Sequence, residues 1–280
     1  KNIDTNRVQI ICNNQVDEIN IKNGNIKNII LKNKEIIKTD YIINSSDYYH
    51  FENKLPFYYR NYSQSFWNNL KLCPSATIFH IILENKLGNQ MEHNLFFDGN
   101  LETDIKNIDK LKKVSNDPCF YLHIYYPSSN KLLVNFFILV PSPNYKELDD
   151  SEVNDIYLCI LKRIKNKLEI DNLDKLIIKV EINRDSEYGK EFNSLGNNAY
   201  GISCEGFQNG IFRPRIKSFY LDNLYHCGQS SVPGPGVPSS MASGIIVSNY
   251  LVDNIIQRQL KKIKNKNNQL FCDSLDDIIV

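Results

Sequence analysis

The sequence contains no CxxC motif and no HxxxH or HxH pair, the short spacings that structural zinc sites use. Its seven cysteines are odd in number and widely spaced, at Cys12, Cys73, Cys119, Cys159, Cys204, Cys227 and Cys272. The histidines are also isolated from one another in sequence, at His50, His80, His93, His123 and His226. We therefore expect free thiols in a reducing compartment, no disulfide framework and no metal site.

The sequence also lacks a dominant charge and a long apolar run. Lys and Arg number 33 against 32 Asp and Glu, for a net charge of +1, and no basic block is interleaved with aromatic residues. Nucleic acid is therefore not an expected partner. No apolar run is long enough to cross a bilayer. A chain of 280 residues with 42% hydrophobic and 23% charged residues is typical of a globular protein with one large or two modest domains.

Catalytic constellations are missing as well. No Ser-His-Asp or Cys-His arrangement can be placed and no carboxylate pair stands out, so the catalytic residues are unassigned. No strand is followed by a complete GxGxxG and a later acidic residue, so the primary dinucleotide-binding βαβ unit is absent from this sequence. A scarcity of catalytic side chains suits an enzyme whose cofactor carries the chemistry.

The most informative stretch that is present runs from Asn223 to Gly244. An apolar strand at Leu224–Cys227 precedes a loop of Ser, Pro and Gly, which leads into a helical pattern beginning near Ser239. Gly234 and Gly236 allow close approach of a ligand to the backbone. The first amides of a helix lack internal acceptors and attract negative charge. The pattern predicts a secondary cofactor contact; a simple turn without a ligand is the alternative.

The residues of this stretch resemble a known family. Asn223–Tyr225, Gly228–Gln229, Pro233–Pro238 and Ser243–Gly244 are similar to the C-terminal signature of bacterial and fungal phytoene desaturases and related carotenoid oxidoreductases, which are flavoproteins. Weaker likenesses precede them, at Phe212–Pro214, His93–Phe97, Asp117–Pro118 and Val140–Asn144. The resemblance covers nearly the whole chain and is strongest over 190–252.

The resemblance implies FAD as the cofactor and assigns its contacts. Gly228 and Gln229 would lie along the ribityl diphosphate, and Val16 would contact the adenine, although Val16 suits a plain hairpin core equally well. Gly236, Val237, Pro238 and Ser239 would lie near the isoalloxazine edge. Arg213 in the upstream segment suits either a diphosphate or carboxylate contact or a structural salt bridge.

The resemblance also implies an α/β fold of mixed α+β character, combining part of a Rossmann-type FAD-binding domain with a mixed or antiparallel-sheet substrate domain. The partial FAD-binding domain is expected at residues 1–47 and the substrate domain at residues 48–190. Residues 191–280 are expected to return to the FAD-binding domain and to end in a C-terminal helix that runs to about Lys262. Strands are expected at the following segments: Val8–Cys12, Gln15–Ile21, Ile26–Leu31, Ile36–Ile43, Thr77–Leu83, Phe120–Tyr126, Leu132–Val140 and Leu176–Ile182. Asn23–Gly24 predicts a hairpin turn, and the strands at Phe120–Tyr126 and Leu132–Val140 are expected to pair antiparallel. Asp149, Asp150 and Ser151 predict the start of a helix that runs to about Leu168. The aromatic residues between Asp47 and Leu72 indicate either core packing or the wall of an apolar pocket.

The implied function is an FAD-dependent oxidoreductase that desaturates or isomerises a polyene isoprenoid. Its first binding partner is then an apolar substrate, and the missing upstream part of the same polypeptide is the second. Without that part the chain is expected to bind flavin poorly and to be inactive. Two alternatives stay open: a non-catalytic lipid-binding or scaffold remnant, and an amine oxidase-like or protoporphyrinogen oxidase-like flavoenzyme. The expected location is the cytoplasm or a plastid-like organelle matrix, with peripheral membrane contact through the lysines after Leu260 as one option.

Overall fold

A computed structural model describes residues 8–88 and 90–276, with side chains up to residue 260. The strands are β1 (Val16–Lys22), β2 (Asn25–Leu31), β3 (Ile36–Lys38), β4 (Ile42–Asn44), β5 (Ser75–Glu84), β6 (His93–Phe96), β7 (Phe120–Tyr125), β8 (Leu133–Ser142), β9 (Ile177–Asn183) and β10 (Leu224–His226). The helices are α1 (Tyr48–Asn53), α2 (Gln64–Asn68), α3 (Leu101–Lys106), α4 (Asp150–Lys167), α5 (Leu173–Leu176), α6 (Asp185–Phe192) and α7 (Val237–Asp276). The predicted mixture of helices and strands is confirmed.

The chain divides into two compact units, the first comprising Lys1–Ser63 and Asn209–Val280 and the second Gln64–Gln208. The sequence placed the changes of domain near residues 47 and 190. The first unit extends to Ser63 because Phe51 and Leu55 pack in one apolar core with Ile26 and Leu224.

The first unit combines an antiparallel and a parallel sheet. β1, β2 and β3 form the antiparallel sheet, and Asn23 and Gly24 turn between β1 and β2 with positive φ values of 52° and 68°. The predicted Asn23–Gly24 hairpin is therefore confirmed. β4 pairs in parallel with β10, so that Ile42 lies opposite Leu224.

Asn223 connects these two sheets. Its side-chain carbonyl accepts the Ile26 N–H at 2.9 Å, and its amide donates to the carbonyls of Ile26 at 2.8 Å and Asp40 at 2.9 Å. The residue is only 3% exposed. One side chain therefore fixes the start of β10 against β2 and the segment that leads into β4.

The second unit is built on a five-stranded antiparallel sheet of order β6-β7-β8-β5-β9. Phe79, Ile81 and Leu83 alternate along β5 and share an apolar core with the α4 residues Ile160 and Ile164. Asp149 and Glu152 form a capping box that begins α4. The predicted pairing of the strands around 120–126 and 132–140 is confirmed.

Three expectations about individual elements were wrong. Val8–Cys12 is exposed and forms no strand. The single strand expected at Ile36–Ile43 is two strands, β3 and β4, which pair in different sheets. α7 continues to Asp276, past the expected end near Lys262, because no Gly or Pro follows Gly244 to stop it.

Within the described residues, no helix has the length and apolar character required to cross a membrane. The lysines after Leu260, on which the expectation of peripheral membrane contact depends, lie outside the residues whose side chains are described.

Candidate functional site

The loop between β10 and α7 has the backbone geometry that its glycines predict. Gly228, Gly234 and Gly236 have φ values of 101°, 137° and 106°, a region that residues with a Cβ rarely adopt. The Ser240 N–H donates to the Gly236 carbonyl at 2.9 Å, which closes the first turn of α7. The helix itself therefore supplies no acceptor for the N–H groups of Val237 and Ser239. Gly236, Val237 and Pro238 are exposed, so this helix start is open.

Arg213 supports this loop from beneath. It is 2% exposed, and its guanidinium donates from Nε to the Ser231 carbonyl at 3.2 Å and from Nη2 to the Gln229 carbonyl at 2.8 Å. From the sequence, two roles were expected as alternatives for Arg213: contact with a ligand, or a structural salt bridge. These contacts with the loop carbonyls give Arg213 a role in positioning the loop.

Ser243 fixes the start of the loop. Its hydroxyl lies in the second turn of α7 and accepts the Gly228 N–H at 3.1 Å. The Gly228 amide is thus used inside the protein, so Gly228 shapes the loop through its positive φ and does not offer a donor to a ligand.

The predicted cofactor contacts fall into three places. Gly236, Val237, Pro238 and Ser239 lie together at the start of α7. Gly228 and Gln229 lie half-buried where the loop leaves β10. Val16 lies at the start of β1 opposite Leu31, in the antiparallel sheet. The adenine contact of Val16 stays a prediction.

His226 ends β10 and was not singled out by the sequence. Its ring is fully buried and stacks on Tyr48, with centroids 3.8 Å apart and planes at 15°. Asn44 accepts from Ser46 with its Oδ1, so its Nδ2 must donate to His226 Nδ1 at 3.2 Å. The imidazole proton is therefore on Nε2, for which the described residues offer no hydrogen-bond partner. Tyr48 and Phe51, which also contacts the His226 ring edge, show that this part of the aromatic stretch serves packing.

Burial lowers the pKa of His226 to about 3, from an ordinary value near 6.5. Because the unfolded chain takes up a proton as the pH falls below that ordinary value and the folded chain does not, stability is lost over this range. We expect wild-type protein to lose about 2 kcal/mol more unfolding free energy than His226→Phe between about pH 7.5 and about pH 5. Urea unfolding at both pH values measures this difference. Equal losses in the two proteins would contradict it.

The second unit contains a separate cavity of about 390 Å³. Its walls are mainly apolar and include Leu72, Leu101, Ile105, Ile108 and Val114. Lys71 lies at this cavity and pairs with Glu205 at 2.9 Å and with Asp109 at 3.4 Å. An apolar volume with a few charges in its wall is typical of a pocket for an apolar ligand.

Cys119 also lines this cavity. Burial, followed by the nearby Asp104 carboxyl, raises the pKa of its thiol to about 11. The thiol therefore stays protonated at neutral pH and adds apolar surface to the cavity wall.

The sheet of the second unit also aligns histidines that are far apart in sequence. His93 lies opposite His123, His123 opposite Phe137, Phe137 opposite His80, and His80 opposite Glu181. Directly paired residues share one face of a sheet, so these five side chains cross the sheet in one row. The row lies on the opposite face from the buried residues of β5. Sequence spacing alone gave no signal for it, because it arises from the pairing of five strands.

The sequence of the chain is similar to those of carotenoid and phytoene desaturases. No protein-family model matches the chain. It is 25% identical over 223 residues to the carotenoid 3,4-desaturase of Haloarcula japonica, which covers 77% of this chain and 44% of the relative. It is 25% identical over 239 residues to a 4,4'-diapophytoene desaturase of Staphylococcus haemolyticus, and this alignment covers 80% of this chain and 47% of the relative. It is 26% identical over 245 residues to the phytoene desaturase of Neurospora crassa, and this alignment covers 82% of this chain and 41% of the relative.

The chain is a homologue of the carotenoid and phytoene desaturases. The family predicted from the loop residues is thereby confirmed. The desaturase homologue spans about half the length of the relatives it matches. Among solved structures, an oxidoreductase from Methanosarcina mazei aligns with 85% of the chain and 48% of its own, at a TM-score of 0.44 and 12% identity.

Proposed function

We propose that the desaturase homologue is part of an FAD-dependent oxidoreductase that acts on a polyene isoprenoid. The observation that carries the proposal is the open start of α7 behind a loop shaped by Gly228, Gly234 and Gly236, in a chain homologous to carotenoid desaturases. Names among the relatives include a desaturase, a 4,4'-diapolycopen-4-al dehydrogenase and a 4,4'-diaponeurosporene oxygenase. These share an oxidation of a polyene, and desaturation or isomerisation is the reaction proposed for this chain.

The residues at the loop fit a flavin as a secondary contact. The N–H groups of Val237 and Ser239 and the positive end of the α7 dipole favour an electron-rich ring oxygen. Gly236 leaves room for a planar ring to approach, since an added Cβ would have its nearest neighbour, Ser239 Oγ, at 3.9 Å. A bound flavin would supply the hydride acceptor for a desaturation. The protein residues here orient the ring and stabilise negative charge on it.

The parallel pair β4 and β10 supports the proposal that a further segment of the polypeptide takes part. Parallel strands occur almost always in larger sheets that are covered on both faces. In the described part of the chain, β4 and β10 pair only with each other. We propose that the upstream segment adds strands to this pair and carries the primary diphosphate-binding loop.

The cavity of the second unit supports an apolar substrate. Its volume of about 390 Å³ and its aliphatic walls suit one portion of an isoprenoid chain. The described cysteines are free, in accord with the proposed reducing compartment of the cytoplasm or an organelle matrix. Peripheral membrane contact is proposed because such a substrate partitions into lipid.

The test is to purify the complete natural gene product that contains this chain and to record its absorption spectrum. We expect a yellow protein with flavin bands. In a desaturation, an acyclic polyene added without oxygen bleaches those bands as the flavin is reduced, whereas an isomerisation leaves them unchanged. A folded protein that stays colourless and takes up no added FAD would reject the flavoenzyme and favour the non-catalytic remnant.

Two matched variants assign the substrate to the cavity. Ile105→Trp adds an indole at the cavity wall, whereas Leu158→Trp makes the same change at a similarly exposed position of α4. We expect Ile105→Trp to slow bleaching by about tenfold and Leu158→Trp to leave it unchanged. Equal rates in both variants would place the substrate elsewhere and leave the flavin result standing.

A further inference from the structure

We propose that Glu92, His93 and His123 form a binding site for a divalent transition metal, with Zn²⁺ as the preferred ion. One ligand atom from each residue lies within 4.8 Å of the others. His93 and His123 are directly opposite each other on β6 and β7. The site belongs entirely to the second unit and does not depend on the proposed flavin chemistry.

The composition of the cluster matches the ion. Two imidazoles and one carboxylate are a ligand set that Zn²⁺ uses with a fourth position left for water. Imidazole nitrogens favour zinc, copper or nickel over magnesium or calcium, which prefer oxygen ligands throughout. Because His93 and Glu92 are exposed and His123 is half-buried, an ion from solution reaches the site without opening the fold.

The sheet holds the cluster in place. The antiparallel register fixes the two histidines on the same face of adjacent strands, where paired Cβ atoms lie about 5 Å apart. The Ile124 N–H donates to the Glu92 carbonyl at 2.7 Å, which anchors the third residue beside the strand that carries His123. The strand pairing therefore fixes the positions of His93 and His123, and the backbone hydrogen bond fixes that of Glu92.

A tyrosine beside the cluster orients one ligand. The Tyr121 hydroxyl and His93 Nδ1 are 2.7 Å apart, so this hydrogen bond occupies one ring nitrogen and leaves Nε2 for a metal. Histidines that bind metals usually make such a bond with their other nitrogen, because it fixes the tautomer and raises the basicity of the ligand. Tyr121 is a positioning residue in this proposal.

The same contacts also describe a plain ring stack. The His93 and His123 planes lie at 13° with centroids 4.7 Å apart, and Tyr121 stacks on His93 at 6.1 Å. In a metal complex both imidazole lone pairs must point at one ion, so the two rings turn out of this stack when Zn²⁺ binds. Titration of the protein with Zn²⁺ therefore separates the two descriptions.

The experiment uses the full chain, reduced and free of metal, titrated with Zn²⁺ by calorimetry and with Co²⁺ by visible absorption. We expect one equivalent of Zn²⁺ to bind, and we expect a Co²⁺ spectrum of nitrogen and oxygen ligands without a thiolate charge-transfer band. His123→Asn and, on the exposed edge strand, His93→Asn each remove one ligand and should weaken binding by about 100-fold. Glu92→Gln should weaken it by about tenfold.

His80→Asn is the matched control, because His80 lies on the same face of the sheet, two strands from His123, outside the cluster. It should bind Zn²⁺ as the wild type does. Absence of saturable binding overturns the proposal and leaves the ring stack. Binding that survives both His93→Asn and His123→Asn also overturns the proposal, because the ion is then held outside the cluster. A strong thiolate band overturns it by locating the ion at a cysteine.

Discussion

Replacing Asn223 with alanine is expected to lower the free energy of unfolding by about 4 kcal/mol. The substitution leaves the Ile26 N–H and the carbonyls of Ile26 and Asp40 without the partner that Asn223 supplies. Each unsatisfied buried group costs about 1–3 kcal/mol, and the methylene and amide volume is lost as well. The effect is large because one side chain joins three separate main-chain groups.

Urea unfolding followed by circular dichroism measures the change. Asn20→Ala is the matched control, since the Asn20 amide also makes a hydrogen bond between strands, to Asn28 at 2.8 Å, but is solvent-exposed. It should cost at most about 0.5 kcal/mol. If the two variants lose similar amounts, the buried connection does not hold the first unit together as described.

Gly236→Ala is expected to weaken FAD binding by the complete gene product by about tenfold or more, and to lower the unfolding free energy by about 1–3 kcal/mol. Crowding within the protein is not the cause of the lost stability, because an added Cβ would have its nearest protein neighbour at 3.9 Å. The cause is the φ value of 106°, which alanine adopts only at a cost. The loop relieves this strain by turning away, and the N–H groups of Val237 and Ser239 then lose their alignment.

Gly244→Ala is the control for this variant. Gly244 lies inside α7, where an added Cβ meets no atom within 4 Å. Alanine favours a helix by up to about 1 kcal/mol over glycine, so this variant should be slightly more stable and should keep its flavin affinity. Fluorescence titration with FAD gives the affinities. Equal FAD affinity in both variants would remove the helix start from the proposed cofactor site.

Local chemistry explains why some of the fold could be predicted from the sequence. Asn23 and Gly24 specify their own turn, Asp149 begins α4 through its own side chain, and the glycines at 234 and 236 shape the loop that carries them. Each depends on neighbours within a few residues. Such elements are readable without knowledge of the rest of the chain.

The remaining features depend on residues that are distant in sequence. His93 and His123 are paired only because β6 and β7 align in one register, and Arg213 finds its acceptors at Gln229 and Ser231 after the chain has turned back. Ile36–Ile43 reads as a single apolar strand, yet its two halves join different sheets. Pairing of this kind is set by the whole fold, which periodicity in one segment does not report.

The buried guanidinium of Arg213 has a consequence for the thermodynamics of ligand capture. Its planar guanidinium donates hydrogen bonds to the Gln229 and Ser231 carbonyls at the same time. The loop from Gly228 to Gly236 is therefore ordered before a ligand binds. Little conformational entropy then remains to be lost on association. A lysine at this position would offer a single mobile ammonium group, and the loop would then become ordered only when the ligand binds.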